Sequence, residues 1–262
     1  MRIMLTNDDG ICAPGMEALV QELHKDHTLL VSAPDRQRSS AGHSASRCLT
    51  CYGTLYAQPH IYDFAPEVEA YAVSGTPADS ARLGESNLFR DIDILLSGIN
   101  DGGNLGTDVL YSGTCGAAQE GALQGMNAWA LSLQWDKKTT RHFETAARVG
   151  RYALAYAAAH PLPFGLFYNV NVPNLPFEEI RGFKHCPLGL VLYPKGYDEL
   201  SEEEGRRAFT MVKGGPLPGE QERDTDDRWI KEGYVTLTVL GYDCGVYSGE
   251  PIAEKEFFVD RI

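Results

Sequence analysis

Arg2-Ile3-Met4-Leu5-Thr6 followed by Asn7-Asp8-Asp9-Gly10 decides the fold when it is read together with Thr28-Leu29-Leu30-Val31-Ser32-Ala33. The first five residues form a short apolar run, and the next four end it with turn chemistry. Between the two runs, Met16, Leu19, Val20 and Leu23 recur at helical spacing, which predicts a helix from about Pro14 to Lys25. Pro34 stops the second run. A strand–loop–helix–strand order of this kind implies a right-handed crossover and a parallel sheet.

The alternation continues outward. Residues 34–45 are small and polar and read as a loop, and 46–73 as short strands broken by Gly53, Pro59 and Pro66, an excursion of hairpins from the main sheet. Thr76-Pro77 has the form of a helix start, with Thr76 as N-cap and Pro77 at the first helical position. Ile92–Leu96 and Ala128–Leu133 are further buried strands, with helices expected after Thr114 to about Gly125 and over 141–159. Leu166–Val172 is expected to be the last strand of the main sheet. The expected fold over 1–174 is therefore α/β with a mostly parallel sheet.

From 175 to 262 the alternation breaks down, although Tyr234–Leu240 returns as a strand. Residues 195–227 are rich in Gly, Pro and charge, and Glu202-Glu203-Glu204 reads as a solvated loop because like charges repel. A long unpatterned stretch is unusual inside a compact domain, so this C-terminal extension is expected to form an arm that packs on another subunit.

The chain has 262 residues, 43% hydrophobic and 23% charged, with a formal net charge of −13. That charge argues against a nucleic-acid polymer or an anionic membrane as partner, since both need a basic surface. It leaves room for a small phosphorylated substrate, because one divalent cation reverses the local field of an acidic pocket. No stretch reaches the ~20 apolar residues of a membrane-spanning helix, and no signal peptide is evident. Cysteines 12, 48, 51, 115, 186 and 244 include a lone CxxC with no second pair to complete a zinc site, so reduced thiols and a cytoplasmic location are expected.

Three polar segments follow parallel strands at their carboxyl ends, where open α/β sheets bind ligands. They are Asn7-Asp8-Asp9-Gly10, Arg38-Ser39-Ser40-Ala41-Gly42 and Ser97-Gly98-Ile99-Asn100. Alone, Asp-Gly is a common turn signal. Together the segments bring Asp8, Asp9, Ser39 and Asn100 to one rim, an all-oxygen set suited to Mg²⁺ or Mn²⁺ and not to zinc. Ser112-Gly113-Thr114 precedes a helix, whose free N–H groups and positive dipole end favour a phosphate, although an ordinary N-cap reads the same way. No GxGxxG follows the first strand, and neither GxxxxGK[ST], GxSxG nor HExxH occurs.

These residues carry a resemblance. Thr6–Gly10, Ala33–Ser39, Ser74–Asp79 and Ser97–Asn100 running on through Asn104–Thr114 are similar to the SurE (survival protein E) family of 5′/3′-nucleotidases. Asn169–Pro173, Asp224-Thr225-Asp226 and Gly233-Tyr234-Val235 resemble that family more loosely, and 185–230 fits weakly. The resemblance implies one divalent metal on Asp8, Asp9, Ser39 and Asn100, and a phosphate site on Asn104, Ser112, Gly113 and Thr114. It also implies a three-layer Rossmann-like core over 1–174, a C-terminal extension exchanged between the subunits of a homodimer or homotetramer, and hydrolysis of nucleoside 5′- and 3′-monophosphates. Asp101-Gly102-Gly103, Cys115 and the Leu237–Leu240 strand depart from the family pattern.

The chemistry expected is metal-assisted hydrolysis of a phosphate monoester, with Asp8 or Asp9 accepting a proton from water. Competing readings are short polyphosphate as substrate, a nucleotide-binding module without turnover, a phosphohistidine at His43, and an aspartyl phosphate at Asp8. The last is disfavoured because such enzymes carry a D-x-D pair and the acids here are adjacent.

Overall fold

The structure is a computed structural model that describes residues 1–46, 53–134, 139–192, 196–203, 205–212, 215–216 and 224–242. Cys48, Cys51, Cys244 and Glu204 lie outside the described residues. Strand β1 (Arg2–Thr6) lies near the centre of a nine-stranded sheet, flanked by β2 (Thr28–Pro34) and β5 (Ile94–Asp101), both parallel to it. Beyond β2 come β4 (Glu69–Val73) and β3 (Ala57–His60); beyond β5 come β6 (Asn127–Gln134) and β7 (Leu166–Pro173). Strand order runs one way from β1 to β2 and the other way from β1 to β5, so the topology switches at β1/β5, where the carboxyl ends part to leave a crevice.

Alternate residues of β1 enter different cores. Ile3 and Leu5 pack on the face covered by α1 (Pro14–Leu23) and α4 (Phe143–Ala159), with Met16, Leu19, Leu23 and Val149. Met4 enters the opposite core, covered by α2 (Pro77–Leu83) and α3 (Gly113–Leu123), with Leu95, Ala117 and Ala118. The three-layer Rossmann-like architecture follows from a sheet buried on both faces. The expected cap of α2 is present: the Thr76 hydroxyl accepts from the Asp79 N–H, and the Asp79 carboxylate accepts from the Thr76 N–H.

Four expectations are corrected. Strand β5 does not stop at Leu96 but continues to Asp101, with an irregularity against β6 between Ser97 and Asn100. Residues 57–73 are not an excursion, because β4 joins the main sheet parallel to β2 and β3 closes its edge antiparallel to β4; Pro59 is tolerated because β3 is an edge strand. Strand β7 is not the last, since β13 (Val235–Gly241) pairs antiparallel to it and β8 (Phe183–His185) pairs with β13. Finally, Glu202 and Glu203 lie in a strand, not a loop: β10 (Tyr197–Glu203) pairs with β11 (Arg206–Met211), setting them opposite Arg207 and Arg206.

Close approach of α1 to β5 depends on Gly15, where a Cβ would lie 2.1 Å from the Ile99 carbonyl oxygen. Gly→Ala inside a helix ordinarily stabilises by up to ~1 kcal/mol. Here Gly15→Ala should instead destabilise by roughly 1–3 kcal/mol, as overpacking does; urea unfolding followed by circular dichroism would measure the sign.

Candidate active site

The loop after β1 is self-supporting. The Asn7 side chain donates to the Gly10 carbonyl (2.9 Å) and accepts from the Gly10 N–H (3.1 Å), and Gly10 holds φ +104°, a conformation that favours glycine. This turn presents Asp8 inward and Asp9 toward the rim. Asp8 is only 3% exposed. Its Oδ1 accepts from the Thr114 hydroxyl at 2.6 Å, and its backbone carbonyl accepts from the Arg38 N–H at 2.6 Å. The β2 loop, and with it Ser39, is thereby tied to the β1 loop.

Gly113 makes the approach of α3 possible. A Cβ there would meet Asp8 Cβ at 2.8 Å and Asp8 Oδ2 at 2.9 Å. Ser112 is the N-cap of α3, its hydroxyl accepting from the Cys115 N–H at 3.0 Å. The capping and anion-site readings of this segment are therefore compatible: Ser112 satisfies one opening N–H, and Thr114 spends its hydroxyl on Asp8. The Gly113 N–H at the first helical position has no acceptor among the described residues.

Asp9 accepts from the Asp101 N–H at 2.9 Å through Oδ2, and its Oδ1 lies 3.4 Å from Gln37 Nε2. Asn100 donates through Nδ2 to the Gly102 carbonyl at 2.7 Å, which leaves its Oδ1 as the outward acceptor. Among the described residues, no arginine, lysine or histidine forms an ion pair with Asp8 or Asp9. Burial pushes the Asp8 carboxyl up to about 6, opposed by the Thr114 hydrogen bond and reinforced by the Asp9 charge. Burial also raises Asp9, against its bonds from Asp101 and Gln37.

Among the described residues no group of three or more His, Cys, Asp or Glu side chains is placed for a metal ion. A cation here would draw on two carboxylates, the exposed Ser39 hydroxyl and the Asn100 amide oxygen. Two desolvated carboxylates without a cationic partner fit such an ion, since it would relieve the cost that raises both.

Asn104 is buried and clamped. Its N–H donates to Asn171 Oδ1 (2.8 Å), its Nδ2 to Ser132 Oγ (2.7 Å), and its carbonyl accepts from Asn169 and Asn171 (2.9 and 3.1 Å). One hydrogen of its amide is thus taken by Ser132. Sequence reasoning gave Asn169 and Asn171 no role in this clamp; the signal was two asparagines alternating with valine in a buried strand, hence on one face. Asp226, at the start of α5 (Asp226–Lys231), was also missed. It accepts from the N–H groups of Gly106 (2.9 Å) and Gly189 (2.7 Å), anchoring the loop after Asn104. His43 engages Glu120, Nε2 to Oε2 at 2.9 Å.

The family described as Survival protein SurE matches residues 3–195. The chain belongs to the SurE family. Proteins named 5′-nucleotidase SurE from Gloeobacter violaceus and from Synechococcus sp. are 38% and 39% identical, over 93% and 95% of this chain and 90% and 94% of theirs. A solved SurE protein from Aquifex aeolicus superposes with TM-score 0.79 at 31% identity, covering 98% of this chain and 99% of that one. The SurE match spans β1, the β2 loop, β5 and the start of α3, the four segments that meet around Asp8 and Asp9.

In metal-free protein the raised Asp8 carboxyl carries a pH signature. The native state holds its proton to higher pH than the unfolded chain. Its cost is therefore absent below pH 3.8, grows as pH rises to about 6 and is constant above. Asp8→Asn keeps an acceptor for Thr114 and removes the charge. In EDTA it should match wild type in stability below pH 3.8 and exceed it by ~3 kcal/mol above pH 6, as urea unfolding at the two pH values would measure.

Proposed function

We propose that this protein is a divalent-metal-dependent nucleotidase that hydrolyses nucleoside 5′- and 3′-monophosphates. The observation that carries the reading is the meeting of the buried Asp8 carboxylate with the N-terminus of α3, beside a half-buried Asp9 and with no ion-paired cation among the described residues, in a chain 37–39% identical to proteins named 5′-nucleotidase. Asp8, Asp9, Ser39 and Asn100 would hold a Mg²⁺ or Mn²⁺ ion. Bound there, the ion supplies Lewis acidity and charge neutralisation to the phosphoryl group.

The chain's own residues supply the rest. The opening of α3 at Gly113, the Ser112 hydroxyl and the remaining amide hydrogen of Asn104 bind phosphate oxygens, a use of helix N-termini that needs no basic side chain. Thr114 fixes the Asp8 carboxylate. The Asp8–Asp9 pair accepts the proton as water oxygen bonds to phosphorus and the phosphorus–oxygen bond to the nucleoside breaks; the departing oxygen is protonated. With its net charge of −13 the protein offers little to a polyanion such as short polyphosphate, which would meet like charge beyond one terminal phosphoryl group.

The domain reading assigns 1–174 to the catalytic core and 175–262 to an extension that serves assembly as a homodimer or homotetramer. The hairpin β10–β11 supports it, because Tyr197, Leu200, Phe209 and Met211 expose apolar side chains on a free two-stranded ribbon. The described cysteines, Cys12, Cys115 and Cys186, are free thiols, which accords with a reducing, cytoplasmic compartment. No helix among the described residues is long and apolar enough to cross a membrane.

Phosphate release from 5′- and 3′-monophosphates should vanish in EDTA and return with Mg²⁺ or Mn²⁺. Asp9→Asn should lower kcat by about a hundredfold or more, since a divalent ion contributes several kcal/mol to the transition state. Full activity in EDTA would end the metal reading, and a wild type that binds nucleotide without releasing phosphate would make the chain a binding module. Replacing residues 197–211 by a short Gly-Ser linker should lower the mass measured by light scattering; an unchanged mass would end the exchange reading.

A further inference from the structure

The segment from Asn104 to Gly113, the phosphate site of the nucleotidase reading, is held at two places. Its inner end is the Asn104 clamp on Asn169 and Asn171 of β7. Its outer tie comes from beyond residue 174, from Asp226, whose exposure is 0%. Asp226 Oδ2 accepts from the Gly106 N–H at 2.9 Å, and Oδ1 accepts from the N–H groups of Gly189 (2.7 Å) and Asp227 (2.8 Å). Gly106 and Gly189 touch backbone to backbone, since a Cβ on Gly106 would lie 2.8 Å from the Gly189 carbonyl oxygen. Beside them the Thr107 hydroxyl donates to the Val191 carbonyl in β9 (Val191–Leu192). Gly106 and Thr107 open the 3₁₀ turn (Gly106–Leu110) that leads to Tyr111, Ser112 and Gly113.

Both ties refer to one frame. Asn169 and Asn171 pair with Thr238 and Thr236 of β13, so the clamp sits on the β7–β13 ladder. Helix α5, which carries Asp226, leads into the same β13 through a turn closed by the Tyr234 N–H on the Trp229 carbonyl at 3.1 Å. Asp226 also donates through its own N–H to the Pro187 carbonyl at 3.0 Å, which fixes the 187–189 stretch to the same point. An enclosed carboxylate is costly unless its hydrogen bonds return the cost, and burial raises this carboxyl against the bonds it accepts. What those bonds give is geometry, because each N–H must lie within about 3 Å of an oxygen whose place is set by α5. With both oxygens engaged and no exposed surface, Asp226 meets no substrate. It acts on Gly106.

We propose that Asp226 is a positioning residue for phosphate binding, and that the extension, through Asp226 and Val191, completes the phosphate site of the core. The inference rests on the nucleotidase reading. Asn104 fixes where the segment starts. Asp226 and Val191 fix Gly106 and Thr107, and with them the path by which the chain reaches the Ser112 hydroxyl and the Gly113 N–H. Freed from Asp226, that path loosens while Asn104 stays clamped, so the donors lose their common spacing. A site made of backbone and side-chain dipoles depends on that spacing, since its donors act only at hydrogen-bond distance. Asp8, Asp9, Ser39 and Asn100 lie on other loops, so a cation held by them is not displaced with the segment.

Steady-state kinetics on a nucleoside 5′-monophosphate, with orthophosphate as competitive inhibitor and Mn²⁺ as the added metal, test this. Asp226→Asn puts an amide NH₂ where an N–H needs an acceptor, and Thr107→Val removes the hydroxyl that bonds Val191. Each should raise KM and the orthophosphate Ki together by about fivefold or more, with the Mn²⁺ concentration for half-maximal activity within about twofold of wild type. Thr107→Ser, which restores the hydroxyl, should recover the wild-type KM and Ki. A merely structural loss would shrink the folded fraction, lowering kcat while KM and Ki stay where they were. That result, in Asp226→Asn or, where it fails to fold, in Thr107→Val, overturns the inference and leaves the nucleotidase reading standing. A wild type that releases phosphate from no nucleotide overturns both.

Discussion

A carboxylate buried at the end of a parallel strand is costly, and this structure is arranged around meeting that cost at Asp8. The Thr114 hydroxyl, the positive end of α3 and the absence of a side chain at Gly113 each act on that one group. None is sufficient alone, which is why the carboxyl sits near 6 instead of in its ordinary range. The uncompensated remainder is a cost that a cation bound there would relieve.

The rest of the rim follows from the same group. Arg38 ties the β2 loop to the Asp8 backbone, so Ser39 is carried to the carboxylates by the turn itself. Strand β5 extends past Leu96 because its pairing with β6 resumes at Asn100, and this brings the Asp101 N–H to Asp9. The topological switch at β1/β5 then determines where the loops part. Fold and site share one origin: a strand buried near the middle of the sheet is also the one whose end carries the two acids.

Much of this was legible because the governing patterns are local. The helical spacing of Met16, Leu19 and Leu23, the Thr76-Pro77 start and the short buried strands all report on their own neighbourhoods, and each element is present, although β5 runs past its expected end at Leu96. The convergence of Asp8, Asp9 and Asn100 needed only the rule that parallel strands share an end. What stayed hidden was non-local. Strand β13 adds antiparallel to β7 from more than sixty residues away, and no periodicity within Val235–Gly241 names its partner. Asn169 and Asn171 looked like polar flaws in an apolar strand until Asn104 was seen between them. Asp226 is similar, a carboxylate whose acceptors' work is on backbone N–H groups of two distant loops.

Those distant ties explain how an acidic protein can bind an anion at all. Among the described residues no basic side chain forms an ion pair with Asp8 or Asp9, and the net charge of −13 opposes a phosphate. Attraction for a phosphate would therefore have to come from fixed dipoles and, on the proposed reading, a bound ion, both effective only over a few ångströms and only when rigidly placed. Rigidity is what the Asn104 clamp, the Asp226 anchor and the Gly42–Gly116 contact provide to the segment from Asn104 to Gly116. A basic pocket would attract phosphates of every kind from a distance. A short-range site set in an acidic surface would instead admit a phosphoryl group only at close contact, which is what the proposed phosphate chemistry needs.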